Sequence, residues 1–173
     1  MANLKSEIQQ LAKDFFAETV DIRRHLHKHP ELSFEEYNTA DFVKKQLEDL
    51  QIPYQIMANT GVVGLLKGEL AGDKVIALRA DMDALPITEV EGRAYGSQNP
   101  GVMHACGHDV HTSSLLGVAK ILSKMKSQFG GTVKFIFQPG EEKLPGGASL
   151  MIKEGVLQNP EPQAVIGQHV MPL

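Results

Sequence analysis

Short apolar runs that lack a polar face constrain the fold of this chain of 173 residues more than any other feature. Val75–Leu78 is nearly continuous in apolar residues, which is typical of a strand covered on both faces. Thr132–Gln138 is predicted to be another buried strand, and Ala164–Gly167 is predicted to be a last strand. Predicted helices lie between these strands. The alternation favours an α/β fold, a three-layer sandwich whose mostly parallel (mixed) sheet is covered by helices on both faces.

Apolar spacing and turn residues place the remaining elements. One long amphipathic helix is predicted from Leu4 to about Lys28, ended by His29-Pro30 because the residue before proline avoids the helical region. Ser33-Phe34-Glu35-Glu36 has the form of a capping box and predicts the start of a second helix. The other predicted elements are helices over Thr112–Lys126 and Ala148–Glu154 and strands over Tyr54–Met57 and Val62–Lys67.

Three histidines near the end of the first helix, His25, His27 and His29, raise the question of a metal site. At a spacing of two residues on a helix, their side chains point in different directions. A polar helix face or a local cap is therefore the favoured interpretation.

Composition excludes several classes of partner. The formal net charge is −4 and no long Lys/Arg run is present, which argues against binding to nucleic acid or to an anionic membrane. Met1–Glu7 lacks the apolar core of a signal peptide, and no apolar run is long enough to span a bilayer. A single cysteine, Cys106, excludes an internal disulfide. These features predict a cytoplasmic protein whose thiol is free to act as a thiolate.

The stretch Met103–His111 concentrates chemistry-bearing side chains. Within nine residues it holds three of the seven histidines and the only cysteine, beside Asp109 and Gly107. Other acidic or imidazole groups follow the predicted strands, and these groups are Asp81, Asp83, Glu141, Glu142 and His169. In open α/β sheets, ligands bind at the carboxyl ends of the strands. We therefore expect these separate clusters to meet along one edge of the sheet.

Side chains gathered at one edge of the sheet in this way favour the binding of a divalent transition metal ion. Cys106, His108, Glu142 and His169 together offer sulfur, nitrogen and oxygen ligands. Asp83 or Asp109 is expected to orient a ligand imidazole. Cys106 alone would be read as a small buried hydrophobic residue, but the histidines around it favour a ligand.

The adjacent pair Glu141-Glu142 suggests a division of roles. On an extended backbone the two side chains point in different directions, so one is expected to bind metal and the other to face the substrate. A carboxylate beside an activated water is suited to be a general base. The alternatives are a solvated acidic turn, a cysteine hydrolase with Cys106 as nucleophile and His108 or His111 as base, or a metal-binding module without catalysis.

Three motifs, in order, resemble the M20 metallopeptidase family. They are Leu78–Pro86, Met103–Thr112 and Phe137–Glu142, the last followed by Gly146-Gly147-Ala148. Arg23–Leu32 resembles the opening of the amidohydrolase branch, which includes hippurate hydrolase, N-acetyldiaminopimelate deacetylase and plant auxin-conjugate hydrolases. The resemblance implies hydrolysis of the amide bond of N-acyl amino acids or related conjugates at a site with two divalent ions, zinc or manganese, with cobalt or nickel as further options.

The resemblance also implies residue roles and a domain organisation. It makes Cys106, His108, Glu142 and His169 metal ligands, Glu141 the general base and Asp83 a supporting catalytic acid. Asp81 stands where other branches carry a ligand histidine. Residues 1–173 correspond to the N-terminal part of the catalytic domain, without the lid and dimerisation domain and the remainder of the family's longer chains. The implied substrate is a small N-acyl amino acid or peptide, and the implied full-length enzyme is a homodimer.

Overall fold

The structure, a computed structural model, describes residues 4–90 and 92–171. Its helices are α1 (Leu4–Asp14), α2 (Phe16–Lys28), α3 (Tyr37–Asp49), α4 (His108–Lys124) and α5 (Gly147–Lys153), with one 3₁₀ turn at Lys126–Gln128. Its strands are β1 (Tyr54–Met57), β2 (Gly61–Lys67), β3 (Leu70–Asp81), β4 (Gly130–Gln138) and β5 (Ala164–Gly167). None of the helices in these ranges is long and apolar enough to cross a membrane.

The five strands form one mixed sheet in the order β1-β2-β4-β3-β5. β3 runs parallel to both β4 and β5, whereas β2 is antiparallel to its neighbours β1 and β4. Helix α4 connects the parallel neighbours β3 and β4, as a parallel pair requires a long crossover. The three parallel strands therefore end at the same edge of the sheet.

Two separate apolar cores confirm the predicted three-layer arrangement. Alternate residues of β4 enter different cores, because successive side chains of a strand point to opposite faces. Phe135 and Phe137 pack with buried residues of α3 and α4, among them Val43 and Leu116. Ile136 instead joins the core that contains Met151 of α5 on the opposite face. The predicted α/β fold with helices on both faces is therefore confirmed.

The predicted single helix from Leu4 to Lys28 is wrong in one respect, because the helix is interrupted at Phe15. This residue precedes α2 with φ −93° and ψ 0°. The Thr19 hydroxyl donates a hydrogen bond to the Phe15 carbonyl oxygen at 3.0 Å, a contact of the type that bends helices. Apolar spacing continues through the interruption, which is why the sequence pattern did not reveal it.

The predicted capping box at Ser33 and Glu36 is also wrong. Ser33 donates its hydroxyl to Asp83, and buried Glu36 accepts hydrogen bonds from Thr60 and from the Gly140 backbone. The start of α3 is capped instead by Glu31, which accepts from the Asn38 and Thr39 backbone N–H groups. The polar side chains of the apparent box therefore serve distant parts of the fold.

Candidate metal centre

The carboxyl ends of the parallel strands gather the predicted site residues. Asp81 is the last residue of β3, and Glu141 and Glu142 follow the end of β4. His169 follows β5 and contacts Cys106, which lies just before α4. Asp83 follows β3 and contacts His108 at the start of α4. We call the cluster formed by Asp81, Asp83, Cys106, His108, His111, Glu141, Glu142 and His169 the candidate metal centre.

Helix α4 begins four residues earlier than predicted, and this difference matters for the site. Gly107 immediately precedes the helix with a left-handed φ of +86°, which favours glycine. A Cβ atom at this position would approach Val170 Cγ2 to 2.5 Å. The turn therefore needs glycine both for its conformation and for contact with the segment after β5. It places Cys106 before the helix and His108 in its first turn.

The Nε2 atom of His108 is the point on which the candidate metal centre converges. It lies 3.6 Å from Asp81 Oδ1, 3.8 Å from Glu142 Oε1 and 4.0 Å from Glu141 Oε2. Neighbouring carboxylates therefore surround one ring nitrogen without a direct hydrogen bond. His108 is buried, and its surroundings act on its pKa in two directions. Burial lowers this pKa, but the hydrogen bond that His108 donates to Asp83 and the charges of the nearby carboxylates outweigh that effect and raise it.

Asp83 fixes the orientation of the His108 ring. The Nδ1 atom of His108 lies 2.9 Å from the Asp83 carbonyl oxygen and 3.2 Å from its Oδ1 atom, so Nδ1 carries the hydrogen and Nε2 presents its lone pair. Ser33 and the Glu142 backbone N–H donate to Asp83 Oδ2 at 2.6 and 2.9 Å. Burial raises the pKa of Asp83, but these hydrogen bonds outweigh it and hold the pKa at about 2.

Cys106 and His169 face each other on the open side of the cluster. The Sγ atom of Cys106 lies 3.3 Å from His169 Nε2, and His169 Nδ1 donates to the Val170 carbonyl oxygen at 2.7 Å. Burial, followed by the Glu142 carboxylate and the other nearby acids, raises the pKa of the Cys106 thiol to about 11. A positive charge at this position would favour the thiolate instead.

His111 and Asp81 form a buried pair beside His108. His111 Nδ1 lies 2.5 Å from Asp81 Oδ1, and the Val170 backbone N–H donates to His111 Nε2 at 3.0 Å. Both ring nitrogens are therefore engaged, with the hydrogen on Nδ1. Arg79 donates to the other Asp81 oxygen at 2.6 Å. In this arrangement His111 positions the segment next to His169 and has no lone pair free for a metal ion.

Among the residues that the structure describes, three groups of side chains have potential ligand atoms within 4.8 Å of one another, and His108 belongs to each. They are Cys106 with His108 and His169, His108 with Glu141 and Glu142, and Asp81 with His108 and His111. The structure thus brings together the side chains that sequence reasoning selected. His111, which the sequence suggested only as an alternative base for Cys106, belongs to the cluster as the hydrogen-bond partner of Asp81.

These residues fit a divalent metal ion. Among residues 4–90 and 92–171, the buried Nε2 atom of His108 has no hydrogen-bond partner, although a buried polar atom normally has one. Its lone pair points into a cluster of sulfur, nitrogen and oxygen donors, the set that transition metals bind. The fit rests on this unpaired atom and on the chemistry of its neighbours.

Comparison with known proteins gives the family. The model of the peptidase family M20/M25/M40 matches residues 77–173, which is more than half of the chain and includes the whole candidate metal centre. The chain belongs to the M20 family. The family that the sequence motifs resembled is therefore confirmed.

Two relatives and one solved structure illustrate the M20 match. The chain is 46% identical over 167 residues to an N-acyl-L-amino acid amidohydrolase of Geobacillus stearothermophilus, covering 96% of this chain and 44% of that protein. It is 43% identical over 162 residues to an N-acetylcysteine deacetylase of Bacillus subtilis, covering 92% and 42%. The crystal structure of the YXEP protein of Bacillus subtilis, a dinuclear metal-binding peptidase from the M20 family, superposes with a TM-score of 0.85 at 43% identity, covering 92% and 44%. The chain thus spans less than half the length of these relatives.

Proposed function

We propose that this M20 protein takes part in metal-dependent hydrolysis of the amide bond of N-acyl amino acids or related conjugates. The observation that carries the proposal is the convergence of sulfur, imidazole and carboxylate groups around the unpaired Nε2 atom of His108. The family supports hydrolysis, and two relatives have names that share one substrate class, an N-acylated amino acid. The proposed substrate is therefore a small N-acyl amino acid or peptide.

The proposed ligands of two divalent ions are Cys106, His108, Glu142 and His169. Because His108 Nε2 has a single lone pair, it serves one ion, and the other ion is held by other ligands. Imidazole and carboxylate ligands admit zinc, manganese, cobalt or nickel, and the thiolate favours zinc. When bound, the ions would polarise the scissile carbonyl and lower the pKa of the attacking water.

The roles of the protein side chains follow from their placement. Asp83 holds the His108 ring so that Nε2 faces the cluster, and its Oδ2 atom accepts the Glu142 backbone N–H at 2.9 Å. The Glu141 side chain is 42% exposed and that of Glu142 is 23% exposed, so Glu141 is the more accessible to water and substrate. Glu141 is therefore the proposed general base, which takes a proton from water and returns it to the leaving nitrogen.

We propose that residues 1–173 form the N-terminal part of the catalytic domain and that the whole enzyme is a cytoplasmic homodimer. The share of the relatives' length that this chain spans supports this division. Under this proposal, the lid and the residues that choose the acyl group lie elsewhere in the enzyme. Activity is accordingly tested on the whole enzyme.

The test is the Glu141→Gln variant assayed on N-acetyl amino acids. Glutamine keeps the size of the side chain but cannot accept a proton, so turnover is expected to fall at least about a hundredfold while metal content stays unchanged. Glu161→Gln is the matched control, since Glu161 is exposed in the segment before β5. Turnover by Glu141→Gln equal to that of the control would refute the role.

A cysteine hydrolase is the alternative that one observation favours, the 3.3 Å contact between Cys106 Sγ and His169 Nε2. The surroundings oppose it, because burial and the nearby carboxylates raise the pKa of the thiol to about 11. A nucleophilic cysteine instead needs a lowered pKa.

A chelator separates the metal-dependent hydrolase from the cysteine hydrolase, since it should abolish a metal-dependent activity and leave a thiol-dependent one intact. Bound metal without hydrolysis would favour a non-catalytic metal-binding protein.

A further inference from the structure

A buried charge network lies behind the candidate metal centre, and His27 is its centre. His27 is 1% exposed, although its spacing with His25 and His29 predicted a polar helix face or a cap. Its Nδ1 atom lies 2.8 Å from Asp109 Oδ2, and its Nε2 atom lies 3.0 Å from Glu89 Oε1. The prediction of a polar helix face is therefore wrong for this residue.

The two carboxylate partners determine the protonation state of His27. An ionised carboxylate accepts hydrogen bonds only, so each ring nitrogen that contacts one must carry a hydrogen. The Nη2 atom of Arg23 also lies near Nδ1, but at 3.4 Å, and the shorter contact with Asp109 assigns Nδ1 as a donor. His27 is accordingly an imidazolium held between two anions.

The network pairs three cations with two anions. The Nε atom of Arg23 lies 2.8 Å from the same Asp109 oxygen that His27 contacts. Arg23 and His27 thus face Asp109, while His27 also faces Glu89. The exposed Arg93 is a further partner of Glu89, with its Nη1 atom 3.6 Å from Glu89 Oε1. Asp109 is 1% exposed, so removal of Arg23 or His27 would leave this buried carboxylate partly uncompensated.

The network joins three segments that are distant in sequence. His27 and Arg23 belong to α2, and Asp109 lies in the first turn of α4, next to His108. Glu89 lies in the loop between β3 and α4, where it also accepts the Ser97 backbone N–H at 2.6 Å. A rigid helix and an otherwise irregular loop are therefore tied to the residue that follows the central imidazole of the metal centre.

We propose that His27 is a positioning residue, a charged clamp that acts through Asp109 to hold the turn of Cys106, Gly107 and His108 in its metal-binding shape. Asp83 accepts the hydrogen bond that orients the His108 ring, and the clamp holds the side chain of the next residue, Asp109. The inference rests on the proposed function, in which Cys106 and His108 bind metal. It assigns a role to His27, whose hydrogen bonds within the part of the chain that the structure describes go to Asp109, Glu89 and Arg23 and not to the predicted ligands.

The test compares His27→Gln with His25→Gln, which removes an exposed histidine from the same helix. The whole enzyme is titrated with Zn²⁺ and with Co²⁺ against a chromophoric chelator, and the Co²⁺ absorption spectrum reports ligation by the Cys106 thiolate. We expect His27→Gln to bind both ions about tenfold more weakly, with an altered Co²⁺ spectrum, since loss of a residue that orients a ligand weakens metal binding roughly ten- to a hundredfold. His25→Gln should match the wild type.

Equal metal affinity and identical Co²⁺ spectra in His27→Gln and the wild type would overturn the clamp, whatever the change in thermal stability. If His27→Gln does not fold, Glu89→Gln takes its place. This variant removes the negative charge that contacts His27 Nε2 and leaves Asp109 in place. It should also weaken the binding of both ions, by up to about tenfold, and unchanged affinity would again overturn the clamp. A wild-type protein that binds neither ion would overturn the proposed function and the clamp with it.

Discussion

The Nδ1 atom of His111 lies 2.5 Å from the Oδ1 atom of Asp81, and this buried contact links the end of β3 to the segment that carries His169. The link continues through the imidazole, because His111 Nε2 accepts the Val170 backbone N–H at 3.0 Å. Asp81 also binds Arg79 and, through its carbonyl oxygen, the Thr112 hydroxyl. Asp81 thus connects the end of β3 to helix α4 and, through His111, to the segment after β5.

The Asp81→Asn variant should destabilise the protein by about 2 kcal/mol, because hydrogen bonds to a buried charged group contribute roughly 1.5–3 kcal/mol. Asparagine keeps the shape but loses the charge that pairs with Arg79. The measurement is urea unfolding at pH 7. Asp73→Asn, on the exposed part of the same strand, is the control and should change the free energy of unfolding by less than about 0.5 kcal/mol. Equal effects of the two variants would contradict the role of Asp81.

Asp83 should contribute stability that disappears in acid. Its pKa is lowered from 3.8 to about 2, so the folded state favours the carboxylate. A lowered acid pKa contributes stability that is full above 3.8 and is lost as the pH falls through about 2. The contribution is on the order of 2 kcal/mol, because one pKa unit corresponds to about 1.4 kcal/mol.

The measurement for Asp83 is the difference in free energy of unfolding between the wild type and Asp83→Asn, by urea titration from pH 6 to about pH 2. Subtraction removes the titration of the other carboxylates. The difference should shrink as the pH falls through this window. A difference that stays constant would mean that Asp83 titrates alike in the folded and unfolded states.

Local sequence signals predicted some elements accurately. The bounds of β1 and β5 match the prediction, because turn residues and short apolar runs mark them locally. Helix α4 begins four residues before the predicted start, because the polar residues His108, Asp109 and His111 do not extend the apolar helical spacing. In the structure these side chains are buried and paired with Asp83, His27 and Asp81, partners that lie 25 to 82 residues away. Such burial depends on the tertiary fold and leaves no periodic pattern.

The candidate site likewise contains residues that the sequence could group and residues that only the tertiary fold brings together. The strand order brings the carboxyl ends of β3, β4 and β5 together, so a general rule for α/β sheets was enough to group Asp83, Glu141 and His169. His27 could not be selected, because its partners Asp109 and Glu89 lie 82 and 62 residues away. Ser33 was misassigned for a similar reason, since its hydroxyl contacts Asp83 across 50 residues.

His27 should make the free energy of unfolding depend on pH in the direction opposite to that expected for Asp83. The hydrogen bond with Asp109, aided by Glu89 and opposed by burial and Arg23, raises its pKa above 6.5. A raised base pKa contributes stability that is full below 6.5 and is lost as the pH rises through the folded pKa. The difference between wild type and His27→Gln in urea unfolding should therefore decrease as the pH rises above 6.5.

His25→Gln provides a control of opposite sign for this experiment. Partial burial of the ring, together with His29 and Lys28, lowers the pKa of His25 below 6.5. The folded state then favours neutral His25, so any contribution grows as the pH rises towards 6.5. The free energy of unfolding of the wild type is compared with that of each variant. If the difference decreases above pH 6.5 for His25→Gln as well as for His27→Gln, the pH dependence does not come from His27.

Lys134 presents a buried cation without a carboxylate partner among the contacts that the described residues make with its Nζ atom. This residue of β4 is 1% exposed, and Nζ donates to the carbonyl oxygens of Val156 and Gln158 at 2.8 Å each. Lys134→Met keeps most of the apolar stem but leaves both carbonyl groups without this donor. We expect a loss of about 2 kcal/mol in urea unfolding, against little change for Lys67→Met on an exposed position of β2.

The pH dependence of the Lys134 effect separates its hydrogen bonds from its charge. Burial lowers the pKa of Lys134, so the unfolded state binds its proton more tightly. The wild type should therefore gain stability relative to Lys134→Met as the pH rises towards 10.5, the ordinary pKa of lysine. A neutral amine still has two N–H groups, enough for both carbonyl oxygens, so the hydrogen bonds persist after the proton leaves. A wild-type advantage that falls over this range would show instead that the charge itself stabilises the fold.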